Sequence, residues 1–140
     1  MQEKGIHSAY WALRIAFGVV PVVAGLDKFT NFLVDWRIYL SPLFERFLPF
    51  SAPTFMHLAG IVEIVVGFAI LTSFTRWGAY AAAIWLLCIA LNILSSGTHL
   101  DVAVRDIVMA LGAYTLARLE EVREREPMVQ RRSGPAKATV

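Results

Sequence analysis

The sequence predicts an all-α membrane protein: an antiparallel bundle of four spanning helices, with a short interfacial helical segment between the first and the second. Three observations predict it. Hydrophobic residues make up 57% of the 140 residues and charged residues 17%, against about 25% charged in a soluble domain. The charges are also uneven. Of 13 basic and 11 acidic residues, ten fall from Arg118 onward, so the first 117 residues hold only 14. Finally, residues 8–26, 54–71, 77–94 and 102–119 each come close to the roughly 20 apolar residues that cross a hydrocarbon core. Strands of a barrel would be near ten residues and would alternate in polarity. A helical bundle is the remaining solution, because lipid offers the backbone no hydrogen-bond partner.

The first stretch holds one charge, Arg14, and a central Pro21. Lys4 before it and the small residues Val23, Ala24 and Gly25 near its end resemble a signal peptide. Its apolar run is too long for that, it contains Arg14, and no A-x-A site follows. It is read as a mature helix. The second stretch carries Glu63 as its only charge, and the third carries none. The fourth has Arg105 and Asp106 early and Arg118 at its exit.

The connector, residues 27–53, repeats Trp36, Tyr39, Leu40, Leu43, Phe44, Phe47 and Leu48 at three- and four-residue steps. That is the period of a helix with one apolar face. Pro42 should split it into two short helices. Residues 30–50 are expected at the bilayer interface, partly covering the bundle mouth; packing as a loop on the helix ends is the alternative. Beyond the fourth stretch, alternating charges suit a solvated helix end. Pro127 should stop that helix. Residues 1–126 then form the transmembrane domain, and residues 127–140 a disordered cytoplasmic tail.

Basic residues set the orientation. Lys4, Arg76, Arg118, Arg123, Arg125, Arg131, Arg132 and Lys137 share the side of the termini, while Lys28, Arg37 and Arg46 lie opposite. This bias places both termini in the cytoplasm of a bacterial-type inner membrane. The net charge of +2 is too small and too local for nucleic-acid binding. A single cysteine, Cys88, excludes an intramolecular disulfide, a CxxC redox centre and a zinc-finger site.

At 100° per residue, polar and small residues share one face of each helix. Arg14, Gly18, Pro21 and Gly25 do so in the first helix, and Gly60, Glu63 and Gly67 in the second. Gly78, Ala81, Trp85, Cys88 and Asn92 align in the third, and Asp101, Arg105, Met109 and Gly112 in the fourth. Small residues let membrane helices approach closely, so these faces should point inward, with Asp106 off the stripe. At a rise of about 1.5 Å per residue, Glu63 lies near the midplane, within guanidinium reach of Arg14 or Arg105. An unpaired carboxylate there costs at least about 2.5–3.5 kcal/mol, so one or both arginines should pair with it. Such a pair is either part of a ligand site or a pin between helices. His57 and His99 fall on the connector side and are the only candidates for a metal or haem; bonding to water or backbone is the alternative. No nucleophile with a base, phosphate loop or paired metal spacing occurs.

Leu13 to Gly18 leading to Ala24 to Phe29 resembles the opening helix of the DoxX family of small four-helix membrane proteins. Gly60 to Gly67, followed by Leu71 and by Thr75, Arg76 and Trp77, is similar to the family's second helix. Asp101 to Ile107 with Ala110 to Ala113 is similar to its last. The resemblance covers about residues 8–119. It implies an association with a thiosulfate:quinone oxidoreductase and with membrane-tethered redox and stress complexes, though many members have no assigned activity. It also implies that Arg14, Glu63 and Arg105 occupy the family's intramembrane polar positions. Thiol exchange is excluded for this chain alone, which lacks cysteine pairs. The expected function is that of a non-catalytic membrane subunit of a quinone-linked redox complex. Quinone or membrane lipid would bind in the bundle, oriented by Arg14, Glu63, Arg105 and Asn92, with Trp85 or Trp36 against a ring. A scaffold that recruits a cytoplasmic partner is the alternative, and a small transporter working as a homo-oligomer a further one.

Overall fold

The computed structural model describes residues 2–132, with side chains from Lys4 to Pro127. The described chain is helical: α1 (Gln2–Thr30), a turn of 3-10 helix (Trp36–Tyr39), α2 (Pro42–Glu45), α3 (Ala52–Leu71), α4 (Thr75–Ser96) and α5 (Leu100–Arg132). The four long helices form the antiparallel bundle. Among the described residues, Lys4–Thr30, Ala52–Leu71 and Thr75–Ser96 are long and apolar enough to cross a membrane. The fourth long helix, α5, carries Asp101, Arg105 and Asp106 in its first two turns.

The bundle is assembled from two tight pairs. In α1 and α3 the contact is made by glycines. A Cβ on Gly25 would lie 2.5 Å from the Gly60 carbonyl oxygen, and one on Gly67 would lie 2.5 Å from that of Gly18. The two backbones touch directly, which is how small residues gain dispersion energy where lipid offers no hydrophobic drive. The α4–α5 pair uses alanine instead. Ala79, Ala82, Ala83 and Ala90 are buried on α4, and Ala103, Ala110, Ala113 and Ala117 on α5. The expected stripes of α4 and α5 are therefore corrected. Ala81 and Cys88 face outward, and Arg105 is exposed while Asp106 is buried. The two pairs meet along a looser seam, where α3 faces α4. Outside the bundle the surface is apolar, with Val65, Leu91 and Val108 each more than 60% exposed.

Helix ends differ from the sequence reading in two places. α1 runs on past residue 26 to Thr30, where Asn31 adopts a left-handed conformation and donates its N–H to the Asp27 carbonyl at 2.6 Å. Likewise, α5 passes through Pro127 to Arg132. Proline removes one i→i−4 bond, that to the Arg123 carbonyl. At an exposed helix end water can replace that bond, so the helix continues. The expected tail is thus helical over residues 127–132, and its remainder, 133–140, lies outside the described residues.

The connector is anchored at both ends. The Asp27 carboxylate accepts from the Phe32 and Leu33 amides at 3.0 Å, from Trp36 Nε1 at 2.7 Å and from the Thr30 hydroxyl at 3.2 Å. Pro42 opens α2 behind an N-cap, Ser41, whose hydroxyl accepts from the Leu43 amide. Ser41 and Leu40 are buried against the bundle, whereas Phe32 and Phe47 stand out from it.

Candidate functional site

Glu63 is buried on α3 and makes its ion pair with Lys28, not with either arginine. The Lys28 Nζ to Glu63 Oε2 distance is 2.6 Å, and the two side chains are 6% and 8% exposed. Two features of the chain produce this. Because α1 continues to Thr30, Lys28 is a helical residue that faces α3. In addition, Cα–Cβ bonds tilt toward a helix's own N-terminus. In an antiparallel pair the Lys28 side chain therefore leans inward from the connector end, while Glu63 leans outward to meet it.

Three further groups complete this centre. Trp85 of α4 donates its indole N–H to Glu63 Oε1 at 3.2 Å, across the seam. The Trp36 ring lies over the Lys28 ammonium, 3.7 Å from Nζ to the ring centroid, a cation–π contact. Trp36 is held there by its hydrogen bond to Asp27. Asp106 is buried on α5, near enough for the Lys28 charge to act on it, and Arg105 reaches it from outside at 3.3 Å. The centre thus draws on all four long helices and the connector.

The other site residues expected from the sequence lie elsewhere. Arg14 sits at the termini end, where it caps α3. Its Nε donates to the Ile70 carbonyl at 3.0 Å, and its Nη2 to those of Leu71 at 3.1 Å and Thr72 at 2.7 Å. These carbonyls end a helix and have no partner within it, and the cation also meets the negative end of the helix dipole. Nη1 donates to the Tyr10 hydroxyl at 3.1 Å. Arg14 is thereby committed to the helix end. Asn92 binds the connector, accepting from the Ser41 amide at 3.0 Å and donating to the Tyr39 carbonyl at 2.6 Å. The two histidines are apart: His57 stacks on Phe29, and His99 meets the edge of Tyr39. Among the described residues no group of three or more His, Cys, Asp or Glu is placed to hold a metal.

Sequence reasoning missed Lys28 and Asp27, and left Asp106 as a cap of its helix start or a residue pairing across to the first or third helix. Signals were present. Asp27 and Lys28 close an apolar run that could continue one more turn. Asp106 shares a three- and four-residue spacing with Ala103, Ala110 and Ala113.

Above Lys28 the connector end holds a recess of about 140 Å³, lined by Lys28, Asn31, Arg37, Pro53, Met56 and His57. It lies between the end of α1, the start of α3 and the connector.

No curated protein and no solved structure matches the chain. The DoxX family model matches residues 9–94, a stretch that runs from the first turns of α1 through the connector and α3 to the last turn of α4. With more than half of its length inside that match, and the buried Lys28–Glu63 pair inside it too, the chain belongs to the DoxX family of small integral membrane proteins.

Proposed function

We propose that the protein is a non-catalytic membrane subunit of a quinone-linked redox complex, and that it holds a quinone, or a lipid in its place, in the seam between its two helix pairs. The observation that carries this reading is the Lys28–Glu63–Trp85 group. It gathers a cationic donor, a carboxylate acceptor and an aromatic ring at hydrocarbon depth, where the tight α1–α3 pair meets α4 across the looser seam. Sites between the helices of a bundle are apolar with a few convergent polar groups, and this seam has that character. A quinone carbonyl would accept from Lys28 or from the Trp85 N–H, and a quinol hydroxyl would donate to Glu63. Trp85 is half-buried and offers its ring to the head. A membrane quinone supplies electron and proton transfer when bound; the residues of this chain bind and orient it. The redox partner would dock on the membrane face, with both termini in the cytoplasm of a bacterial-type plasma membrane.

The test is solvent extraction of protein purified in mild detergent, with quinones identified by mass spectrometry, followed by titration of a short-chain quinone. The expected result is a bound quinone in the parent that is lost when Lys28→Met and Glu63→Leu are combined. A parent that carries no quinone and takes up none refutes the reading.

A second reading has its own observation. α5 projects past the body as a charged helix, tied back by Arg76 to Glu124 at 2.7 Å and by the Tyr80 hydroxyl to Glu121 at 2.6 Å. A fixed, charged helix of this kind suits a scaffold that recruits a cytoplasmic partner. Pull-down of the same partner by a protein that binds no quinone would favour it.

A further inference from the structure

The recess at the connector end is chemically one-sided. Four of its six lining residues, Lys28, Asn31, Arg37 and His57, carry N–H donors, and none carries a carboxylate. Lys28, at 6% exposure, is a buried ammonium with three N–H bonds, of which one is directed at Glu63. Arg37 uses Nε and Nη2 on Asp35, at 2.8 and 2.7 Å, which leaves the Nη1 edge of its fork. Asn31 is brought to the rim by its left-handed backbone, φ 50°. His57 is held flat against Phe29, with ring centroids 4.9 Å apart. A pocket in which every polar side chain carries a donor and none is a carboxylate matches a group made of acceptors. Arginine with a second cation is the usual cradle for a tetrahedral oxyanion.

The surroundings identify the carrier of that group. The recess opens at the end of a span that closes at Thr30. It is flanked by Phe29, Phe32 and Leu33, which are 46%, 88% and 64% exposed. Apolar side chains beside a cationic recess at the membrane boundary suit a headgroup above and acyl chains below. We propose that this recess binds the phosphate of a phospholipid, with Lys28 as its floor and Arg37 and His57 as its rim. A free oxyanion such as inorganic phosphate has the same acceptor chemistry. The recess shares Lys28 with the seam group but takes its rim from Arg37 and His57, which lie outside that group, so the proposal does not depend on quinone binding.

The experiment is native mass spectrometry of the full chain released from detergent and titrated with dioleoyl-phosphatidylglycerol. Dioleoylglycerol, which has the same chains without phosphate, and sodium phosphate are titrated in parallel. One equivalent of phosphatidylglycerol should bind at least tenfold more tightly than dioleoylglycerol. Arg37 and His57 are exposed, so Arg37→Gln and His57→Gln should fold; each should weaken the lipid about tenfold or less, and the double variant more. Asp35→Asn keeps the acceptor that caps the 3-10 turn but releases Arg37, so it should tighten binding. Quinone content should stay at the parental level in all four of these variants, which separates this site from the seam. Sodium phosphate that competes at equal affinity assigns the recess to a free oxyanion. Equal binding of the two lipids, or parental binding by the double variant, overturns the proposal.

Discussion

Replacing Glu63 with leucine strands a buried ammonium, and the structure sets the scale of the loss. At 2.6 Å, with an effective dielectric constant of about 20, the attraction between Lys28 and Glu63 is about 6 kcal/mol before desolvation is subtracted. Removing one partner of a buried pair typically costs about 3–5 kcal/mol. Here the lower end applies, because the ring of Trp36 remains over the orphaned Lys28. Lys28→Met should cost about the same, leaving Glu63 with only the Trp85 N–H. Replacing both should lose no more than about 1–2 kcal/mol, because an apolar pair of similar volume needs no partner. The coupling energy would then be about 4 kcal/mol or more. Unfolding by sodium dodecyl sulfate in mixed micelles, followed by far-ultraviolet circular dichroism, measures all four proteins. A Glu63→Leu protein that unfolds with the parent would refute the reasoning. So would a double variant that loses the sum of the two single losses.

Further expectations follow from the helix contacts. Gly25→Ala drives a methyl group onto the Gly60 backbone and should cost about 1–3 kcal/mol, whereas Gly5→Ala, with nothing within 4 Å, should be at least as stable as the parent in the same micelles, gaining up to about 1 kcal/mol. Arg14→Ala removes three hydrogen bonds at the end of α3, but the Ile70 and Thr72 carbonyls keep the Thr75 hydroxyl, so it should cost about 1–2 kcal/mol. Arg14→Lys should restore only part of this, since an ammonium lacks the planar fork that reaches several carbonyls. At the termini end the Tyr80 hydroxyl donates to Glu121 and holds its carboxyl below the usual carboxylate range. A folded-state pKa that is lowered gives stability above the ordinary value of about 4.3, and that stability is lost as pH falls through the lowered pKa. An acid titration of unfolding should therefore lose this component in Tyr80→Phe. For orientation, a membrane-impermeant thiol probe should reach Glu126→Cys, in a Cys88→Ser background, only from the cytoplasmic side. Labelling from the opposite side reverses the topology.

Small residues marked the interior correctly where they were glycines and less well where they were alanines. On α3 the spacing of Gly60, Glu63 and Gly67 picks out the buried face, and all three are buried. Glycine is costly in a helix, so its recurrence on one face needs a reason, and close backbone approach is one. Alanine is the best helix former and is at home on any face. On α4 the run of alanines from residue 81 to 83 gave no face: Gly78, Trp85 and Asn92 do turn toward the bundle and the connector, whereas Ala81 and Cys88, read on the same stripe, are exposed. On α5 a single glycine, Gly112, outweighed Ala103, Ala110, Ala113 and Ala117 in the reading, although these four are the residues that pack on α4. That choice turned Arg105 inward and Asp106 outward, the reverse of their places in the bundle.

Lys28 was illegible for a different reason. Hydropathy ends a span at the first charged residues, so Asp27 and Lys28 were assigned to the connector. The backbone follows another rule, continuing as helix while its carbonyls find donors, and here Asn31 supplies the closing N–H. One extra turn converts a flanking cation into a buried partner for Glu63. Arg14 is then released from the centre to cap a helix end, so the most intramembrane arginine is the one with a plainly structural task. Lys28 also leaves the tally of flanking basic residues on the connector side, but Arg105, exposed near the start of α5, joins it, so three stand against eight on the side of the termini. The positive-inside bias depends on charges that resist translocation as solvated flanks, not on a cation neutralised inside the bundle. Burying Lys28 and exposing Arg105 therefore offset each other, and the basic bias from which cytoplasmic termini are expected stands as the sequence has it.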